Sequence, residues 1–384
     1  MTLPAPAKRN SVMVTNAAVV SGLGPNLDTL WRRLLVGETA IRPLERFPTD
    51  RYNVRNAAWI AGLEFATGPS LLFLLLERLL EGFGPVPADC RLITATTKGC
   101  IDVLERLQRG LPADPGTLPV SSVLSWINRK FGLADQGINV NAACASSTVA
   151  IARAAALIAA GKAEAVLVVC MDLVSEFVFS GFSALQALSP TTCRPFDRDR
   201  NGLALGEGGA ALLLMSEERA CRENRRALGT VAGWGAANDA THITAPAREG
   251  CGLVQAVRQA LAKAGITPDD VAAVSAHGTG TVYNDLMELT AFRAVFGDRP
   301  VPVHSVKGAI GHTLGAAGGI EVALGLMSLK SRVVPPTAGF REPDENVPGQ
   351  VSARPQPMTG PYLLTTNSGF GGVNAALVLK GEVP

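Results

Sequence analysis

Ile138-Asn139-Val140-Asn141-Ala142-Ala143-Cys144-Ala145-Ser146-Ser147 decides how the rest of the chain is read. A short β-branched run climbs to two alanines and a cysteine, and a helix-forming stretch over 148–160 follows, closed by Gly161-Lys162. The pattern predicts strand, sharp turn and helix, with one thiol at the turn. A cysteine there lies near the positive end of the helix macrodipole and close to unpaired backbone N–H groups. Both favour thiolate, the nucleophilic form. The small neighbours leave room for a substrate. On these ten residues alone, a buried structural cysteine fits as well as a nucleophile does.

The flanking segments read as alternating strands and helices. Before the cysteine, 11–20 is a first strand, 27–35 and 71–80 are helices, 91–96 is a buried strand, and 99–109 and 120–131 are helices. After it, 165–170 is a central strand by its continuous apolar run, and 177–188 is a helix or a lining loop. Residues 209–215 form a strand and 217–226 a charged helix, which separates an N-terminal half (1–222) from a C-terminal half (223–384). The second half repeats the style, with strands at 229–234, 271–275 and 301–305 and helices at 252–264 and 285–296. There Val303-His304-Ser305-Val306-Lys307, a turn at 308–311 and a helix at 315–329 echo the Cys144 unit. Strands at 362–366 and 375–380 close the chain. Two α/β halves, each aiming a turn at a shared centre, would bring residues from both into one site.

Composition narrows the classes. Lys and Arg total 35 against 33 Asp and Glu, so no overall charge draws the chain to nucleic acid. The seven cysteines are odd in number and include no C-x-x-C pair, which argues against a disulfide framework and a zinc site. The start lacks the apolar core of a signal peptide, and Glu77-Arg78 break the run at 71–76 short of a membrane span. The expectation is a cytoplasmic protein with no metal.

Only four histidines occur. His277 ends the strand before His277-Gly278-Thr279-Gly280-Thr281, and His312 lies among glycines in Lys307-Gly308-Ala309-Ile310-Gly311-His312. Both positions suit a cleft. His304 alternates along its strand with Val303 and Ser305, as a satisfied structural histidine would, and His242 falls in a polar loop. Gly369-Phe370-Gly371-Gly372 is either a hairpin turn or a backbone donor with an aromatic lid. One cysteine and two histidines without metal spacing point to thioester chemistry. The sulfur takes an acyl group, backbone N–H groups hold the oxyanion, and neutral imidazoles donate to a developing enolate.

These motifs, together with Pro195-Phe-Asp-Arg-Asp-Arg-Asn-Gly-Leu-Ala-Leu-Gly-Glu-Gly-Gly209 and Asn367-Ser368, occur in one order along the chain. In that order they resemble the β-ketoacyl-acyl carrier protein synthases of the thiolase superfamily, of the elongating Cys-His-His type. The resemblance implies an α/β fold, a duplicated five-layer α-β-α-β-α sandwich, and a homodimer or a heterodimer with a related ketosynthase or chain-length factor. It implies Cys144 as nucleophile, His277 and His312 as enolate stabilisers, and Lys307 as electrostatic support with Glu321. It also implies an oxyanion hole from the Cys144 and Phe370 N–H groups, Phe370 as gate, and Thr279 and Thr281 on the phosphopantetheine arm. Acyl carrier protein would be the partner, with no cofactor of the enzyme's own, in fatty-acid, polyketide or aryl polyene biosynthesis. Arg32, Arg33, Arg46, Arg51, Arg129 and Lys130 are candidates for a basic patch facing the acidic carrier. Asn201 stands where an aspartate is usual, Ser368-Gly369 where Phe-Gly is frequent, and 64–138 is short for the family. The alternative reading is a non-catalytic partner subunit of a heterodimer.

Overall fold

A computed structural model of the chain describes residues 10–64, 68–344 and 350–381. Ten strands carry the architecture. They are β1 (Val12–Ser21), β2 (Arg91–Ala95), β3 (Ile138–Val140), β4 (Ala165–Asp172) and β5 (Gly208–Ser216), then β6 (Gly229–Asn238), β7 (Val271–Ser275), β8 (Val303–His304), β9 (Tyr362–Gly369) and β10 (Val373–Lys380). Their spatial order is β8-β7-β9-β10-β6-β1-β5-β4-β2-β3. Counted from the middle outward, each half therefore has the same order, and the pairing directions match as well: the first, fifth and fourth strands pair antiparallel, the fourth, second and third parallel. Among the described residues the two half-sheets are joined edge to edge by two residue pairs, Met13 with Thr230 and Val14 with Gly229.

The longer helices are α1 (Leu27–Leu35), α2 (Leu71–Leu79), α3 (Ile101–Gln108), α4 (Ser121–Phe131), α5 (Ser146–Ala159), α6 (Glu176–Ala184), α7 (Cys251–Ala264), α8 (Val282–Phe296) and α9 (Ala317–Ser331). Side-chain alternation along the strands assigns the layers. Val166 and Val168 face inward with Ala150 and Ile151 of α5, Ile320 and Leu324 of α9, and Leu363 and Leu377 of the other half. Leu167 and Val169 face outward against Leu72, Leu76 and Ile127. On the far side Val274, Leu364 and Val378 pack on Leu253, Val257 and Phe292. The result is five layers, α-β-α-β-α, with α5 and α9 sandwiched between the two half-sheets. Both central helices are apolar nearly all round, as burial on every face requires.

The chain shows the echo between the halves directly, because α5 follows β3 as α9 follows β8. Several boundaries differ from the sequence reading. The 217–226 helix stops at Arg222, since Asn224 turns left-handed at φ 51° and Arg225 folds back to hydrogen-bond Ala220. The 301–305 strand shrinks to two residues, and the 308–311 turn is a single helical turn, Lys307–Ile310. Residues 177–188 resolve into α6 followed by loop. Between α1 and α2, Ile41–Pro43 and Asn56–Ala58 pair as short strands. Among the described residues no helix is long and apolar enough to cross a membrane.

Candidate active site

The Cys144 turn is built by local hydrogen bonds. Ala143 takes φ 49°, left-handed for a residue with a Cβ, and so swings the chain from β3 into α5. The Ser146 hydroxyl steadies it, accepting from the Ala142 N–H at 2.9 Å and donating to the Ala143 carbonyl at 2.5 Å. Gly369, at the end of β9, lies against this turn. A Cβ there would sit 2.8 Å from the Ala142 oxygen and 3.1 Å from the Cys144 nitrogen, so only glycine admits the approach. The next residue, Phe370, brings a backbone N–H that favours the charged form of the Cys144 sulfur.

Three side chains meet here, Cys144 from one half of the chain and two histidines from the other. His312 Nε2 lies 2.9 Å from Cys144 Sγ, and the His277 and His312 rings stand edge to face with centroids 5.2 Å apart. All three are buried. They form the floor of a cavity of about 440 Å³ that Thr279, Thr281, Phe182 and Phe370 also line. Thr279 and Thr281 face each other, their hydroxyl oxygens 2.9 Å apart. At the mouth Phe370 stacks on Phe182 with ring centroids 5.8 Å apart. The donor atoms of Cys144, His277 and His312 all lie within 4.8 Å of one another. Two ligands on tetrahedral zinc stand about 3.5 Å apart, so the Cys144–His312 separation is that of a hydrogen bond, and a metal would have to spread the pair.

Lys307 and Glu321 pair at 2.6 Å, each only 1% exposed. Glu321 Oε2 accepts from Asn367 Nδ2 at 2.8 Å, and the same amide nitrogen lies 3.2 Å from His277 Nδ1. Electrostatics departs from the sequence expectation. Burial pushes the Cys144 thiol up to about 11, against the downward pull of Lys307. Desolvation outweighs the helix terminus, so the resting sulfur is a thiol, not the thiolate expected from its position. Burial first, and then Lys307, hold His277 and His312 well below the usual imidazole range, which leaves both neutral.

Several positioning acids were missed by sequence reading. Glu288 accepts from the His277 and Gly278 N–H groups at 2.7 and 2.6 Å, and Asp285 accepts from Thr279 N and Phe196 N at 3.0 and 2.7 Å. Burial raises Glu288 to about 8. The signal was available, because two acids three residues apart open a helix just after the glycine turn, where their carboxylates meet its N–H groups. Asp172, at the end of β4, accepts from Thr96 Oγ1 at 2.8 Å, Thr97 Oγ1 at 2.9 Å and Gly315 N at 2.7 Å, tying the His312 loop to the N-terminal half. No local pattern marks it.

Of the basic candidates, Arg46 is a correction. Its side chain is 2% exposed and grips Glu207, whose oxygens also accept from Ile60 N and Val174 N, so it cannot face a carrier. Arg51 is tied to Glu176, and Arg33 to Glu38. His304 is buried but not satisfied, since neither ring nitrogen has a partner among the described residues; His242 is exposed in its loop, accepting from the Thr244 and Ala245 N–H groups. Asn201 lines the cavity mouth, bonded to Ser189.

Comparison with known proteins gives the family of the chain. Residues 111–220 match the Beta-ketoacyl synthase, N-terminal domain, and residues 228–341 the Beta-ketoacyl synthase, C-terminal domain. The chain is 32% identical to Nodulation protein E of Rhizobium meliloti (strain 1021), over 96% of this chain and 98% of that one. It is 30% identical to 3-oxoacyl-[acyl-carrier-protein] synthase 2 of Vibrio cholerae, over 97% and 99%. Among solved structures, the ishigamide ketosynthase/chain length factor superposes with a TM-score of 0.89 at 28% identity, covering 98% of this chain and all of that one. The chain belongs to the β-ketoacyl synthase family, whose members are acyltransferases that form carbon–carbon bonds. The five-layer thiolase-like sandwich is the fold these relatives share with it.

Proposed function

We propose that the chain is a 3-oxoacyl-[acyl carrier protein] synthase that condenses an acyl thioester with malonyl carrier protein, in fatty-acid or specialised polyketide-like biosynthesis. The Cys144 sulfur attacks the acyl thioester as its proton passes to His312, and the first carrier leaves as its thiol. Malonyl carrier protein enters with its phosphopantetheine arm along Thr279 and Thr281. Carbon dioxide departs, and the enolate oxygen takes hydrogen bonds from His277 and from His312, the latter once its single ring proton has exchanged onto Nε2, which the acylated sulfur no longer needs as a base. The carbanion attacks the acyl carbon on Cys144, the N–H groups of Cys144 and Phe370 hold the oxyanion, and the thiolate is expelled. No cofactor of the enzyme's own is needed.

The observation that carries this reading is the 2.9 Å approach of His312 Nε2 to Cys144 Sγ on the floor of a cavity lined by His277. A subunit with no chemistry to perform has no reason to keep a buried thiol and two buried neutral imidazoles together. We place a second copy, or a related chain, against β3, the edge strand, beside the exposed Ile138.

The test is the intact mass of the protein after incubation with a panel of acyl carrier proteins, beside Cys144→Ala. An acyl adduct on the unaltered chain alone is expected. No adduct from any donor would sink the enzymatic assignment in favour of a partner subunit.

A further inference from the structure

Asn367 sits where β9 ends, its side chain buried between the two central helices and the His277 loop. Its amide has three partners. Nδ2 donates to Glu321 Oε2 at 2.8 Å and lies 3.2 Å from His277 Nδ1, while the Thr148 hydroxyl on α5 bonds Oδ1. The orientation of an amide follows from its network. Reversing this one would set Oδ1 2.8 Å from the Glu321 carboxylate, oxygen against oxygen. Glu321 is in turn fixed by Lys307. The amide hydrogens therefore point at Glu321 and at His277 Nδ1.

A neutral imidazole carries one proton, and the nitrogen that accepts is the one without it. We propose that Asn367 is a positioning residue that holds His277 as the Nε2–H tautomer, with its single proton turned to the cavity. This rests on the condensation proposed above and deepens it. An enolate oxygen in the cavity needs a donor, and the opposite tautomer would present it with a lone pair. The chain Lys307–Glu321–Asn367–His277 thus acts by fixing which ring nitrogen carries hydrogen, in addition to its charge. Thr148 anchors the far end of the amide. Neither Asn367 nor Thr148 hydrogen-bonds the acyl-transfer sulfur, so the effect falls on the second half-reaction.

The experiment compares Asn367→Asp and Thr148→Val with the unaltered chain in two assays: acylation of Cys144 followed by mass, and condensation of the acyl-enzyme with malonyl carrier protein. Aspartate accepts where asparagine donates, and so favours Nδ1–H. The ratio of condensation to acylation rates should fall about 100-fold or more in Asn367→Asp, the range of a lost proton donor. In Thr148→Val, which leaves the amide itself in place, it should fall about 10-fold. Nitrogen NMR of labelled histidine, with His277 assigned by His277→Gln, should show Nε2 protonated in the unaltered chain and Nδ1 protonated in Asn367→Asp. Equal falls in both half-reactions, or an unchanged tautomer, would overturn the proposal. If Asn367→Asp does not fold, the Thr148→Val ratio and the tautomer of the unaltered chain decide. Failure of the unaltered chain to acylate would instead refute the enzymatic reading.

Discussion

Replacing Lys307 by Met should expose what the buried ion pair contributes. Glu321 is 1% exposed and has two partners, Lys307 at 2.6 Å on one oxygen and Asn367 at 2.8 Å on the other. Losing the ammonium leaves a carboxyl whose ionised form is held in the core by a single amide, and breaking a buried pair on one side costs about 3–5 kcal/mol. Burial already raises the Glu321 pKa, and Lys307 is the chief influence pulling it down. Without Lys307 the folded-state value rises further while the unfolded value stays near the ordinary carboxylate, about 4.3. The variant's stability is therefore intact below that value and is lost as pH rises towards the folded-state pKa, by up to about 1.4 kcal/mol per unit. Urea unfolding followed by tryptophan fluorescence at pH 5 and pH 7.5 measures this. The deficit should be small at the lower pH and reach about 3–5 kcal/mol at the higher. Replacing both partners, as Lys307→Met with Glu321→Leu, should recover most of it, because two apolar groups leave no unpaired charge. A Lys307→Met deficit under about 1 kcal/mol at pH 7.5, or one that does not shrink on acidification, would refute the reasoning.

Two further outcomes follow from single positions. His304 is buried, neither ring nitrogen has a partner among the described residues, and burial lowers its pKa to about 3. Stability should fall as pH drops below about 6.5, because the unfolded chain takes up a proton that the folded ring refuses. His304→Phe should flatten that slope by about 1.4 kcal/mol per unit between pH 6 and pH 4, and equal slopes in calorimetry would contradict the assignment. A Cβ on Gly318 would lie 2.0 Å from Thr148 Oγ1 and 2.5 Å from Asn367 Oδ1. Gly318→Ala should cost about 1–3 kcal/mol by overpacking and slow condensation with it. An unshifted melting temperature with full turnover would mean that α5 and α9 cross more loosely than described.

Much of the molecule could be read from its sequence. The strand–turn–helix at Cys144, the bounds of α1 and β7, the repeated style of the two halves and the structural character of His304 all followed from β-branched runs, helical spacing and glycine turns. Those signals are local, because backbone preference and side-chain periodicity act over a few residues. Tertiary structure decided the rest. The contact between Cys144 and His312 joins residues 168 apart, and no spacing rule encodes it. The same packing reversed the ionisation expected of Cys144, since desolvation comes from distant segments whereas the helix dipole is local. It buried Arg46 on Glu207, turned Asp172 and Glu288 into loop anchors, and gave Asn367 three partners from three elements. Sequence supplied the candidate reactive groups. Their protonation states and mutual distances were set by which distant segments came to lie against them and excluded water.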